Sequence, residues 1–461
     1  MNGSRRRYQD LSRWLLNHAL LASVIVLFCS ASARLFMAMR ADVDETIAFY
    51  SDPSTYIVPA QNLLENGAFL NGRGEPMVDR TPGYPAFLAL LMVLAGRDLN
   101  KVLIVQTLVL SFTVVVLYLL ARRVLPPVMA FAGALLAALS PWGAVLAGIP
   151  MSDGSFLFVL ALVFLVMKLT TEARSLQLVW LGGMGVGLLS GSAVLIRPVW
   201  PLIFLVLGAM LVTYSPKRKG VWVLLVVTFV CAMAPIVFWQ QRNQRVAYFN
   251  RLSDIPGKSA FRYLAARVKA EVTGQNRHTV SAAAYEEDRD WARIMSVQEA
   301  DNEHWSRAVA VFRENPFVTI YCFVLSATEH AIHPSPDVLV PAKLTFRGDV
   351  LVLAVWWMGL LILALLGCLC AAHKEWDDGE INRRWLLTLL MISSGLTLLS
   401  GISFAAGSRL RAPLELIVPM LAAIPLVRGI HTYAVWKEGT RKVATERTDG
   451  ARDGVVDGRG R

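Results

Sequence analysis

Residues 99–120 read LNKVLIVQTLVLSFTVVVLYLL, an apolar run whose single charge, Lys101, stands near its start. At a helical rise of about 1.5 Å per residue, such a run crosses the roughly 30 Å hydrocarbon core of a bilayer. Working outward, runs of similar character recur at 14–37, 128–146, 156–169, 178–195, 200–212, 221–239, 350–371, 385–406 and 414–427. The pattern predicts an all-α polytopic bundle of about ten transmembrane helices. A chain of 461 residues that is 55% hydrophobic, with a mean hydropathy of +0.49, is not a water-soluble globule.

The net charge of +11 raises the question of a nucleic-acid partner, and the placement of the charges answers it. Arg5, Arg6 and Arg7, then Arg122 and Arg123, Lys168 and Arg174, Lys217 to Lys219, and Lys374 with Arg383 and Arg384 fall in every second loop. That is the bias of cytoplasmic loops, so both termini are expected in the cytoplasm of a multi-pass cell-membrane protein, with no role for nucleic acid. Ala31, Ser32 and Ala33 would pass for a leader-cleavage site, but the apolar run continues through Leu35, Phe36 and Met37, which favours a retained anchor. On either reading the loop that follows lies on the extracytoplasmic side. Cys29, Cys231, Cys368 and Cys370 sit in spans and Cys322 in another apolar stretch, a packing distribution with no disulfide or zinc spacing.

Two outer loops are long, about 38–96 and 240–346, within a membrane domain of 1–436. In the first, 56–66 and 85–95 read as helices lying at the membrane surface. The second ends in NPFVTIYCFVLSATEHAIHPSP; a crossing by its 317–333 part would put Lys374 and Arg384 outside, so it reads as interfacial or re-entrant. Residues 437–461, charged and ending DGVVDGRGR, are expected to be a disordered tail. Gly182, Gly183, Gly185, Gly187 and Gly191, with Ser190 and Ser192, give one span a small-residue face for close helix packing.

Charge retained at a membrane face needs a reason, since an acid or arginine at a span centre costs about 2.5–3.5 kcal/mol on insertion scales. Asp52 opens a D-x-x-x-Y pattern with Tyr56; it can cap the helix behind Pro53 or accept a proton from an attacking hydroxyl. Asp42, Asp44 and Glu45 stand close by. Asp79 and Arg80 precede Thr81-Pro82-Gly83-Tyr84-Pro85, a rigid turn that explains its prolines but not Arg80, whose planar fork suits phosphate oxygens. Asp153 heads the apolar run SFLFVLALVFLV as a cap or as a second acid on the same face. Arg197 sits where a span exits before Pro198, a position that also suits a snorkelling side chain. Arg409 and Arg411 occupy an outer turn against the positive-inside bias, which points to an anionic ligand. His330, His333 and Asp337 match no metal spacing and read as polar loop.

The ordered set DPSTYIVPAQNLLENGAF, DRTPGYPAFLALL, LLAALSPWGAVLAGIPMSDGSF, GLLSGSAVLIRPVWPL and GSRLRAPLELIVPML resembles the GT-C superfamily of integral-membrane glycosyltransferases. Within it, the set is similar to the branch of protein O-mannosyltransferases and the lipid A aminoarabinose transferase. The resemblance implies an outer-face active site, a polyprenyl-phosphate-linked sugar as donor and a glycan, lipid or protein as acceptor. It further implies catalytic roles for Asp52 and Asp153. Tyr56, Asp79, Arg80, Tyr84, Arg197, Arg409 and Arg411 become substrate-binding residues. A divalent metal ion is optional in that branch, with Asp52 and Asp153 the acids that would hold it. On this reading Asp52 is the general base toward the acceptor, and Arg80, Arg409 and Arg411 offset charge on the leaving phosphate. A transporter or flippase for a lipid-linked or anionic substrate is the rival, disfavoured because the charges gather at one face and not at the midplane.

Overall fold

The computed structural model describes residues 3–40, 44, 47, 52–214, 220–332, 347–372, 381–399 and 411–453. The chain begins with α1 (Gly3–Asn17), α2 (Ala19–Arg40), α3 (Ser54–Asn66), α4 (Gly83–Ala95) and α5 (Leu99–Ala121). There follow α6 (Pro127–Ala138), α7 (Pro141–Gly148), α8 (Ser152–Glu172), α9 (Leu176–Ile196), α10 (Leu202–Thr213) and α11 (Val221–Ala247). The second long connection folds into α12 (Ile255–Ser259), a π-helical turn (Ala260–Ala265), α13 (Ala266–Thr273), α14 (Arg277–Ala292), α15 (Val297–Glu314) and α16 (Pro316–Ile332). The chain then returns to the bundle as α17 (Arg347–Ala372), α18 (Arg383–Leu399) and α19 (Leu414–Asp453).

Among the described residues, each run expected to cross the membrane falls mainly on helix, but not all of these helices are long enough to do so. Among the described residues seven helices have the length and apolarity to span, or up to nine if each of two bent pairs counts as one span, against about ten expected. Part of the difference is at 128–146, where α6 and α7 meet at a 52° bend. The cause is local: Ser140 caps α7 by accepting from Gly143 N, and Pro141 has no N–H to continue a ladder. The α10 helix is also short, at 12 residues. The α16 helix, which holds the described part of 317–333, bends away from α15 by 111°, and Trp357 Nε1 of α17 donates to Ala331 O near its end, 2.6 Å. The tail expected to be disordered from 437 on continues α19 as far as Asp453, because WKEGTRKVATERTDGARD holds mostly good helix formers.

The small-residue face of α9 is used as its sequence implies. A Cβ on Gly183 would lie 2.4 Å from Leu224 Cδ1, on Gly187 2.4 Å from Thr228 O, and on Gly191 2.5 Å from Ala232 O, so α9 and α11 touch along their backbones. One end of the bundle gathers α4, the N-terminal turns of α8, the C-terminal ends of α9 and α11, and the loop before α4. The other end gathers Arg122, Arg123, Lys168 and Arg174, with Arg123 and Lys168 both paired to Glu172.

Candidate active site

The loop from Phe69 to Arg80 is held by three groups from a distant part of the chain. Arg242, at the end of α11, donates to Phe69 O and Met77 O, each at 2.7 Å, and stacks on Trp239 at 4.8 Å. Ser253 Oγ donates to Asp79 O at 2.5 Å, and Lys258 Nζ lies 3.3 Å from Asp79 Oδ1 and 2.6 Å from Asp254 Oδ2. With its backbone fixed, Arg80 turns to α3: its Nε donates to Thr55 Oγ1 at 2.8 Å, its Nη2 to Asp52 Oδ1 at 2.5 Å, and its plane lies 4.8 Å from the Tyr56 ring centre. The N-cap of α3 is Pro53, and no side-chain cap bond is made there. The Asp52 carboxylate, a third exposed at 32%, goes to Arg80.

Tyr56 joins this pair to a second one. Its hydroxyl lies 3.4 Å from Ser152 Oγ, next to Asp153, in the first turn of α8. Asp153 is also not the N-cap; its side chain, 5% exposed, pairs with Arg197 at the end of α9. Beneath Tyr56 lies the fully buried Tyr84, ring centres 5.1 Å apart in an edge-to-face contact. Tyr84 donates to Gln106 Oε1 at 2.9 Å, and Gln106 Nε2 donates to Ala147 O and Ile149 O, also 2.9 Å. Residues from α3, α4, α5, α8 and α9 thus converge, and Asp52 and Asp153 lie at one end of the bundle, bridged by Tyr56.

The electrostatics follow from burial and charge. Burial opposes the charge of Arg80, but Tyr56, Asp52 and Asp79 more than offset it, so the guanidinium binds its proton more tightly than a free arginine. Burial likewise pushes the Asp79 carboxyl up, and Lys258, a hydrogen bond with Asp254, and Arg80 outweigh it and leave Asp79 below its ordinary range. Asp254, buried beside Asp79, is pushed up to about 7, with burial the largest cause and Asp79 adding to it against Lys258. Of the two acids, Asp254 binds its proton the more tightly. From the π-helical turn, Tyr263 bonds to Tyr285; burial first, then Tyr285 and the Asp52 carboxylate, raise its phenol.

Two expected residues are not in this group. Arg411 packs at the head of α19 between the rings of Trp142 and Trp357, with Glu415 as its ion-pair partner. Arg409, with Asp42, Glu45, His333 and Asp337, lies outside the described residues. Among the described residues no three His, Cys, Asp or Glu side chains gather as metal ligands. Asp52 and Asp153 each face a guanidinium, so a divalent ion at either acid would have to displace an arginine. Among the described residues, these two arginine-paired acids do not form a ready-made metal centre.

With this geometry in place, comparisons with known proteins become informative. Residues 79–239, which hold Asp79, Arg80, Tyr84, Asp153 and Arg197, match the family profile of dolichyl-phosphate-mannose-protein mannosyltransferases. The archaeal oligosaccharyltransferase AglB of Archaeoglobus fulgidus, solved with an inhibitory peptide and a dolichol-phosphate, superposes with a TM-score of 0.52 at 15% identity over 97% of this chain and 53% of that one. The chain has the GT-C fold. The A. fulgidus oligosaccharyltransferase tethered to an acceptor peptide with the NVT sequon gives the same TM-score at 15% identity, over 91% of this chain and 51% of that one. The chain therefore spans about half the length of these GT-C structures. ArnT from Cupriavidus metallidurans bound to undecaprenyl phosphate aligns more loosely, with a TM-score of 0.37 at 16% identity over 90% of this chain and 78% of that one. No curated protein sequence matches.

Sequence reasoning missed Asp254, Lys258, Ser253, Arg242, Gln106 and Tyr263. Two of these left a signal: Asp254 and Lys258 stand four apart at the start of a short helix, the spacing of a helical ion pair.

Proposed function

We propose that this protein is a membrane glycosyltransferase that moves a sugar from a polyprenyl-phosphate donor to an acceptor hydroxyl on the extracytoplasmic face, by inversion. The observation that carries this reading is the Asp52–Arg80 pair, partly open to solvent and stacked on Tyr56, beside the Asp153–Arg197 pair. The acceptor oxygen forms a bond to the sugar C1 as the bond from C1 to the phosphate oxygen breaks, and the hydroxyl proton passes to the Asp52 carboxylate. Loss of that negative charge frees the Arg80 guanidinium, which turns to the leaving phosphate as its charge develops. One ion pair is exchanged for another, and no net charge is created in the site.

Asp153, enclosed and bound to Arg197, holds Ser152 and Arg197 beside Tyr56 and is not a second base. Asp79, Lys258 and Asp254 keep Arg80 aimed at Asp52. The match of residues 79–239 to a dolichyl-phosphate-mannose-dependent family supports a lipid-phosphate sugar as donor. The expected setting is the cell membrane, with both termini cytoplasmic.

The test uses purified protein in liposomes with a panel of polyprenyl-phosphate sugars, scoring released polyprenyl phosphate and labelled product. Asp52→Asn keeps the size of the side chain and its bond to Arg80 but removes its basicity, and transfer drops about 100- to 10,000-fold. A variant that transfers at the parent rate overturns the role of Asp52.

A further inference from the structure

In α2 an arginine faces the interior of the bundle. Arg34, Arg411 and Glu415 are each at most 5% exposed, so two guanidiniums and one carboxylate are enclosed together. Glu415 has one oxygen, Oε1, 3.6 Å from Arg411 Nε, while Oε2 accepts from Ser140 Oγ at 2.8 Å. Arg34 Nη1 donates to Ser30 Oγ at 2.5 Å. Among the described residues of this cluster, Arg34 Nε, Arg411 Nε and Nη1, and the indole N–H of Trp142 are four buried donors with no hydrogen-bond partner, against one such acceptor, Glu415 Oε1. A cavity of about 20 Å³ opens beside Arg34, its polar wall formed by Arg34, Thr113, Ser140, Gly143 and Glu415 and the rest apolar, with Arg411 and Trp142 outside the lining.

Among the described residues, two positive charges against one negative leave an excess of one. The surrounding helix ends add to it. Ser140 caps the N-terminus of α7, and Glu415 lies in the first turn of α19, so the positive ends of two helices meet here. The rings of Trp142 and Trp357, 4.4 and 4.1 Å from the Arg411 guanidinium carbon, spread that charge without neutralising it. An uncompensated buried charge costs several kcal/mol, about what an entire small domain has to spare. The unpartnered donors and the positive ends both call for an anion.

Size and depth select its kind. The cavity has room for about one water-sized particle, so the four oxygens of a phosphate or sulfate do not fit. Thr113 lies seven residues along α5 from Gln106, about 10 Å further into the bundle than the contact of Gln106 with Tyr84. A lipid headgroup at the membrane face does not reach that far. We propose that the cavity between Arg34, Ser140 and Glu415, next to Arg411, binds a single halide ion of the size of chloride, which ties α2, α7 and α19 together beneath the Asp52 site.

Purified protein is moved into gluconate buffer at constant ionic strength and titrated with sodium chloride or bromide while its thermal unfolding midpoint is followed. A saturable rise with either halide, lost in Arg34→Gln, is the expected result. A midpoint indifferent to halide shows that the cavity holds water and overturns the proposal. So does a rise of equal size in Arg34→Gln, or one produced by phosphate or an anionic lipid and not by halide. If Arg34→Gln does not fold, bromide-soaked crystals of the parent decide: an anomalous peak between Arg34 and Ser140 supports the site, and none there overturns it. No sugar transfer is measured, so the outcome is independent of the glycosyltransferase reading.

Discussion

Replacing Arg197 with Met strips the partner from a carboxylate that is 5% exposed. Breaking a buried ion pair from one side costs about 3–5 kcal/mol. Two features of the site trim that figure. Asp153 lies in the first turn of α8, whose positive end repays up to about 1 kcal/mol. Arg197 itself is 18% exposed, so the pair is not wholly withdrawn from water. The expected loss for Arg197→Met is therefore about 2–4 kcal/mol. The reverse change is milder: in Asp153→Asn the arginine can extend toward solvent over Phe156, 6.0 Å below it, and the loss is about 1 kcal/mol. With both changed, no buried charge is left stranded, and stability returns to within about 1 kcal/mol of the parent. The double-mutant cycle thus gives a coupling of about 2–5 kcal/mol. Reversible unfolding of the four proteins in mixed lipid–SDS micelles measures it. Two single variants that cost little and add without coupling would refute the enclosed pair on which the site geometry rests.

Three further outcomes follow from the same geometry. Arg80→Lys keeps the charge but loses the Thr55 bond and the flat stack on Tyr56, so transfer in the liposome assay falls about 10- to 100-fold with the fold intact; an unchanged rate removes the planar fork from the mechanism. Gly83→Ala would place a Cβ 2.7 Å from Ile196 N and from Leu195 C and O, backbone atoms that cannot yield, and the resulting shift of α4 from α9 lowers stability by about 1–3 kcal/mol in the same micelle assay. The third concerns pH. Asp254, raised to about 7 from 3.8, keeps its proton in the folded protein over a window in which the unfolded chain has released it; stability therefore falls as pH rises from about 4 to about 7 and is level above. Lys258, raised by Asp254 and Asp79 against burial, stays charged throughout, and Asp79, lowered, acts below that window. Asp254→Asn flattens the slope in unfolding measurements from pH 5 to 8, and an equal slope in the variant refutes the assignment.

The bundle could be read from sequence because a membrane leaves few choices: apolar runs of sufficient length become helices whatever their neighbours. The break at Ser140-Pro141 was also written locally, though an apolar window passes over it. In the candidate site, local chemistry singled out Asp52, Arg80, Asp153 and Arg197 and left each acid as either a cap or a functional carboxylate. Helix starts suggested caps for both, whereas each carboxylate reaches an arginine remote in sequence, and such pairings are set by tertiary packing. Lys258 and Asp254 escaped notice for the same reason, since their importance comes from Asp79, far from them along the chain. Arg411 was singled out correctly as a cation in an unusual place, but its partner is Glu415, one helical turn on. Arg34, a lone charge inside the first apolar run, left a sequence signal that went unused.

The glycine seam between α9 and α11 acts on the chemistry from a distance. The first of these helices ends at Arg197, which holds Asp153, and the second carries Arg242, which clamps the arch leading to Arg80. Because Gly183, Gly187 and Gly191 leave no side chains to slide or repack between the two backbones, the helices behave as one rigid strut with a guanidinium mounted at the tip of each rail. A methyl group added deep in the apolar layer would splay that strut and misalign both arginines at once, so the proposed transfer would be lost through a change that touches neither Asp52 nor Asp153.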